Sequence, residues 1–356
     1  MAARATRSTT WAARLGTLPH ARLLQLAADA LTELPEDHAE ALAADHERSR
    51  LLVLSHDELG VIFDGLADPL QPVVAVALSS TCLGLRTPLR AALEVLQQQH
   101  MKTQAFIKKM DISCADMRVA EKLKWGRDAE ASPECTVEDM ATLGMILRTC
   151  GLPRLQSLEL YSHGFGDAGV LSLCEGLGDS SAPSLRLLNL SNNDFGPAGA
   201  EALAAALGRG ALPKLKDVRF ATTGLGRSGL AALLPALRAL PGLKRLNLFN
   251  CAICDEAVAL LAANLGKDDF KALQELILDG NQLTDMGCAT LASALDQAGL
   301  PALKDMSISN NSFGEEVPIA LVDAAARRGI KVFPCMEGDS DEDDYELYGD
   351  DSGDDE

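Results

Sequence analysis

Apolar residues return at a fixed interval through the middle of this chain, in the frame L-x-x-L-x-L-x-x-N. Frames start at Leu155, Leu185, Leu215, Leu243, Leu273 and Leu303, spaced 30, 30, 28, 30 and 30 residues apart. Leucines at positions one, four and six, with polar residues between them, describe a short strand that buries one face. A second apolar set follows at helical spacing, as in Leu203 and Leu207 or Leu291 and Leu295, and reads as the buried stripe of a helix. Strand, turn and returning helix in every period predict an α/β solenoid with parallel strands inside and helices outside. No single unit can bury its apolar face without its neighbours.

The turn residues agree with that period. Position nine is His163, Asn193, Thr223, Cys251, Asn281 and Asn311, small or polar groups suited to capping buried backbone after the strand. Glycine or alanine follows six residues on, at Gly169, Gly199, Gly229, Ala257 and Gly287. In five of the six units a proline precedes the first leucine by two residues, as at Pro153 and Pro183, where it ends one helix and sets an extended entry to the next strand. On these residues the chain resembles the ribonuclease-inhibitor type of leucine-rich repeat. That resemblance implies fold and says almost nothing of function. A weaker unit, Ile107, Met110, Ile112 and Ala115, fits the frame upstream and is expected to form the first repeat. The stretch between it and Leu155 then carries an insertion: a helix capped at Thr136 and Asp139, and a surface loop around Lys124-Trp125-Gly126-Arg127.

Four regions follow: a basic segment 1–19, expected to be disordered, a helical region 20–99, the solenoid 100–336 ending on a strand at Lys331–Phe333, and an acidic segment 337–356, with a more specific stretch at 51–96 inside the helical region. Leu54, Leu59, Ile62, Phe63 and Leu66, followed by Asp68-Pro69 and an apolar run from Val73 to Leu85, resemble an F-box. The resemblance implies that these five side chains dock a Skp-type adaptor, making the chain a substrate receptor of an SCF-type, cullin-based ubiquitin ligase. Ser55 stands where that family has proline, and leucine replaces its tryptophan near Leu83. The same apolar residues equally suit an all-helical cap on the open end of the solenoid.

Charge changes the picture only at the end of the chain. The formal net charge is −19, yet residues 337–356 hold twelve Asp or Glu and no Lys or Arg, which leaves the other 336 residues at −7. So acidic a block has little to bury and is expected to be disordered. Phosphate contacts need a basic stripe, so nucleic acid is not an expected partner. Ser340 and Ser352 each precede an acid by three residues, resembling acidophilic casein-kinase-type phosphorylation sites. Repeats plus an acidic segment also resemble the Ran GTPase-activating protein family. That likeness implies an arginine near the first repeats, for which Arg118 and Arg127 are the available residues. A third reading is a repeat scaffold with neither role.

No apolar run reaches membrane-spanning length, and nine cysteines without paired spacing suit free thiols in a reducing, cytoplasmic or nuclear setting. Arg4, Arg7, Arg14 and Arg22 precede the first acid, Asp29, which leaves organelle targeting open. Gly224-Leu225-Gly226-Arg227-Ser228-Gly229 matches a dinucleotide fingerprint, but Gly226 and Gly229 are ordinary repeat positions. Cys251-x-x-Cys254 lacks the second pair that zinc needs. With no positioned acid, base and nucleophile, neither catalysis nor a cofactor is expected. Alternation along the strands instead points Ser157, Glu159 and Tyr161 outward, with Asn189, Arg219, Asn247, Ile277 and Ser307 in one column. Partner binding is expected through Tyr161, Arg219, Arg245, Phe249, Glu275 and Asp279, since exposed aromatics and arginines carry most interface energy.

Overall fold

The computed structural model describes residues 63, 67–72, 75–76, 89–126, 134–178, 181–265, 269–297, 299–314 and 317–333. Helices α1 (Arg90–Lys109) and α2 (Cys114–Val119) lead into strand β1 (Lys122–Gly126), followed by α3 (Val137–Thr149). Strand and helix then alternate: β2 (Ser157–Tyr161), α4 (Gly166–Cys174), β3 (Leu187–Asn189), α5 (Pro197–Gly208), β4 (Asp217–Arg219) and α6 (Gly226–Arg238). The series closes with β5 (Arg245–Asn247), α7 (Asp255–Ala263), β6 (Glu275–Ile277), α8 (Asp285–Asp296), β7 (Asp305–Ser307), α9 (Ile319–Arg327) and β8 (Lys331–Phe333). The eight strands pair in chain order, every pair parallel. Each strand is too short to stand alone, so the sheet exists only because each unit lies against the next.

The leucine frame sets the register. Leu158, Leu188, Val218, Leu246, Leu276 and Met306 stand opposite one another, and none is more than 1% exposed. The position-nine residues do the polar work inside the turns. Asn193 Nδ2 donates to the carbonyls of Leu160, Leu190 and Ser191, while its Oδ1 accepts from the His163 amide at 3.0 Å. Asn281 repeats the pattern three units on, donating to Leu248, Leu278 and Asp279 and accepting from Cys251 and Ile253. Where asparagine is absent, Thr223 Oγ1 and Cys251 Sγ donate to the Phe220 carbonyl. His163 Nδ1 accepts from the Cys135 amide, so Nε2 carries the proton given to the Trp125 carbonyl.

The first repeat lies elsewhere than the apolar frame places it. Ile107 belongs to α1, and Lys124, Trp125 and Gly126 form strand β1 instead of a loop. Leu123 pairs with Leu158 and Trp125 with Leu160, which puts Ala120 at position one, 35 residues before Leu155. Alanine at the first position and tryptophan at the sixth hide the frame. Trp125 nevertheless fills a leucine's place in the core, edge-on to Phe106 of α1 at 5.5 Å, which ties that helix to the end of the solenoid. The helix expected after Thr136 is present with both halves of its capping box, Thr136 and Asp139.

Gly176, just after α4, has a packing reason that Gly208, at the end of α5, lacks. A Cβ at Gly176 would lie 2.0 Å from the Gly144 carbonyl oxygen, so α3 and the end of α4 touch backbone to backbone. Gly176→Ala is expected to cost about 1–3 kcal/mol through overpacking, read by urea unfolding. Gly208→Ala, with nothing within 4 Å of the new methyl, should be neutral or stabilising by up to about 1 kcal/mol. Equal effects at the two sites would contradict this packing.

Candidate functional site: the open face of the sheet

The helices cover one side of the strands; the other carries the outward side chains of positions three, five and seven. Position three runs Ser157, Leu187, Asp217, Arg245, Glu275, Asp305 and Lys331 in register, and its middle forms an ionic chain. Arg219 grips Asp217 with Nε at 3.2 Å and Nη2 at 2.8 Å. Arg245 reaches the same carboxylate at 3.6 Å and donates through Nε to Glu275 at 2.5 Å. Burial is the largest single influence on Arg219 and works against its charge, but the Asp217 hydrogen bonds together with the negative charges of Asp217, Glu159 and Glu275 outweigh it, and its pKa rises above the ordinary value. Both guanidiniums are therefore held in fixed poses in the half-buried centre of the face.

Two aromatic rings flank this chain. Tyr161, on β2, lies across Gly126 of β1, where a Cβ would fall 2.0 Å from the ring, and Lys124 Nζ stands 5.6 Å from its centroid. Phe249, just after β5, is half-buried beside Gly280, its ring 3.4 Å from where a Cβ would be. At Gly126 the absent side chain makes room for the Tyr161 ring, whereas Phe249 meets Gly280 at ordinary contact distance.

Several expected contact residues serve the fold itself. Asp279 is buried, its carboxylate accepting from Ser307 Oγ and the Ser309 amide, both at 2.6 Å. Asn189 and Asn247, placed in the outward column, are likewise buried and accept from their own chain two residues on, from Ser191 and Phe249. Glu159, Arg219, Ile277 and Ser307 remain half-exposed in that column. Sequence reasoning missed Asp217 as the anchor of both arginines. Its signal was present, since residues two apart on a strand share a side.

The other expected sites fare differently. Phe63 is helical and only 1% exposed; Leu54, Leu59, Ile62 and Leu66 lie outside the described residues, as do Ser340, Ser352 and Arg127. Arg118, on α2, is ion-paired with Asp68. In the glycine-rich turn, the Gly224 amide donates to the Phe195 carbonyl and the Gly226 amide to Cys251, so its donors are spent on neighbouring turns. Among the described residues no cluster of His, Cys, Asp or Glu could hold a metal ion, and no helix is long and apolar enough to cross a membrane.

Burial raises the thiol pKa of Cys174 to about 12 and those of Cys251 and Cys288 to about 11, and pushes Cys135 up as well. Such thiols are poor nucleophiles. Their linkage has one sign: the neutral thiol is favoured in the fold, so its contribution is intact below the unfolded value of 9.0 and is lost as pH climbs to about 11–12. Each strongly buried thiol should remove about 1.4 kcal/mol per pH unit in that window, measured as unfolding free energy at pH 8 and 10.5. A flat profile would contradict it.

Residues 181–204, which run from the turn before β3 into α5, match the family described as Leucine Rich repeat. Among solved structures the chain is similar to the one titled as the TLR13–ssRNA13 complex. The two share 17% identity and a TM-score of 0.34 over 58% of this chain and 28% of that chain; the match thus spans little more than a quarter of that structure's length. No curated protein matches the chain. The family match covers one repeat, and the repeat frame, the parallel strand order and the asparagine-capped turns extend the same leucine-rich-repeat fold along the described strands.

Proposed function

We propose that this chain is a non-catalytic protein-binding scaffold whose contact surface is the open face, centred on Tyr161, Arg219, Arg245, Phe249 and Glu275. The observation carrying the reading is the ionic chain Arg219–Asp217–Arg245–Glu275 flanked by two aromatics, Tyr161 laid over Gly126 and Phe249 beside Gly280. Ordering these side chains is already done by the fold, so a partner does not have to supply that entropy. Fixed charges of alternating sign favour a partner with a complementary pattern and reject one without it. The test is a pull-down comparing the wild type with a Tyr161→Ala, Phe249→Ala double variant. Proteins held by the wild type should be lost at least about tenfold, consistent with removal of two anchors, while the melting temperature stays within about 2 °C. Equal capture would place the contact surface elsewhere.

The finer reading, adaptor docking through 51–96 in an SCF-type ligase, has its segment order as support. Phe63, the one residue of the five that is described, is buried. Coexpression with a Skp-type adaptor decides: a complex destroyed by Ile62→Asp supports a ligase receptor. Absence of a complex leaves the scaffold alone.

A further inference from the structure

The edge of the sheet at which the strands begin is a basic ridge. The residues before β3 to β7, and Lys331 at the start of β8, are tied in series through backbone: the amides of Arg186, Lys216, Lys244, Gln274, Lys304 and Lys331 donate in turn to the carbonyls of Gln156, Arg186, Lys216, Lys244, Gln274 and Lys304, at 2.7–2.8 Å. That ladder stacks Arg186, Lys216, Lys244 and Lys304 along one line. Two residues earlier in their units, Arg154 and Lys214 join it, and Arg154, Ser184, Arg186 and Lys214 line one shallow groove there. Lys216 is half-buried and the other five are exposed. None of the six takes part in an ion pair among the described residues. The open face beside it neutralises its own charges; this edge does not. Glu121, at the first strand, is the only acid in the same position of the units.

We infer that this ridge is occupied by the chain's own acidic segment, residues 337–356. Charge complementarity is one argument: a −7 remainder holds six unpaired cations in line, and the segment carries twelve acids with no base. Reach is the other. β8 ends at Phe333, two residues beyond Lys331, which heads the ladder. Strands about 4.8 Å apart make the ladder from Arg186 to Lys331 roughly 25 Å long, whereas twenty extended residues span about 65 Å. The contact costs little chain entropy, because the segment is already tethered at the same end of the sheet. Backbone groups along the ladder are satisfied by one another, so recognition is through side-chain charge and is sensitive to salt. Phosphorylation of Ser340 or Ser352 would tighten the contact by adding charge. The inference stands independently of the open-face reading, since its test requires no partner.

The test is zero-length carbodiimide cross-linking of the full chain at low salt, with peptide mapping. The expected result is amide links from 337–356 to Lys214, Lys216, Lys244 and Lys304, unchanged on tenfold dilution and reduced about fivefold or more at 0.5 M salt. Lys214→Glu, Lys216→Glu and Lys244→Glu together should move the remaining links away from Lys304 as well, while an unrelated Lys102→Glu leaves them. Links spread evenly over Lys102, Lys108 and the ridge, or directed to the Met1 amine, would overturn the assignment. Links that vanish on dilution would assign the segment to a second copy and overturn it equally.

Discussion

Phe195→Ala will lower the free energy of unfolding by about 3–5 kcal/mol, the range for removing a fully buried aromatic ring. The ring is 0% exposed and meets Phe220 edge-on, with centroids 5.6 Å apart. It sits where Gly199 lacks a Cβ, the missing atom falling 3.2 Å from the ring. No polar group is uncovered by the change, so the loss is transfer energy plus cavity. Phe195→Leu, which keeps most of the volume, should cost clearly less. Because each unit of a solenoid is held only by its neighbours, the damage should also be local. Amide exchange at β3 and β4 should quicken more than at β7. A loss below about 1 kcal/mol would mean that this part of the core collapses freely.

Asn193→Leu will be nearly as damaging, by about 3 kcal/mol or more, although it keeps the number and branching of the side chain's heavy atoms. It removes three donations to buried carbonyls and the acceptor for the His163 amide at 3.0 Å, and each group left unpaired costs about 1–3 kcal/mol. Asn311 makes the same bonds, to Leu278, Ile308 and Ser309, in a half-buried turn nearer the end of the solenoid. Water can replace part of what is lost there, so Asn311→Leu should cost about half as much. Denaturant midpoints in the reverse order would show that the turns are not held by these side chains.

The architecture was legible because its determinants are local and repeated. Leu155, Leu185 and their equivalents announce each strand, and Asn193 and Asn281 announce each turn; Thr136 with Asp139 announces α3. One unit escaped this reading, since Ala120 and Trp125 break the leucine frame, and Trp125 is defined only by what surrounds it. Its core position depends on Phe106 of α1 and on His163 of the next turn. Helix caps lent between units were equally hidden. Asp167 of α4 accepts from the Gly196 and Gly199 amides at the start of α5, both at 2.7 Å. Asp255 of α7 takes the Thr284 amide before α8. No window of sequence holds both halves of such a pair.

The open face divides in the same way. Alternation placed Glu159, Arg219 and Ile277 outward, and the strand register confirms them as one column. What each outward side chain does there was decided by its neighbours thirty residues away. Asp279 is drawn under Ser307 and Ser309, Arg245 is turned onto Glu275, and Tyr161 is laid over Gly126. By itself the sequence determined the period, the buried register and the turns, because an apolar pattern dictates which face leaves water. Only the tertiary structure decided which charges are spent on one another and which, like the basic ridge, are left to spare. That outcome depends on distances between units, and parallel stacking sets those distances after the chain has folded.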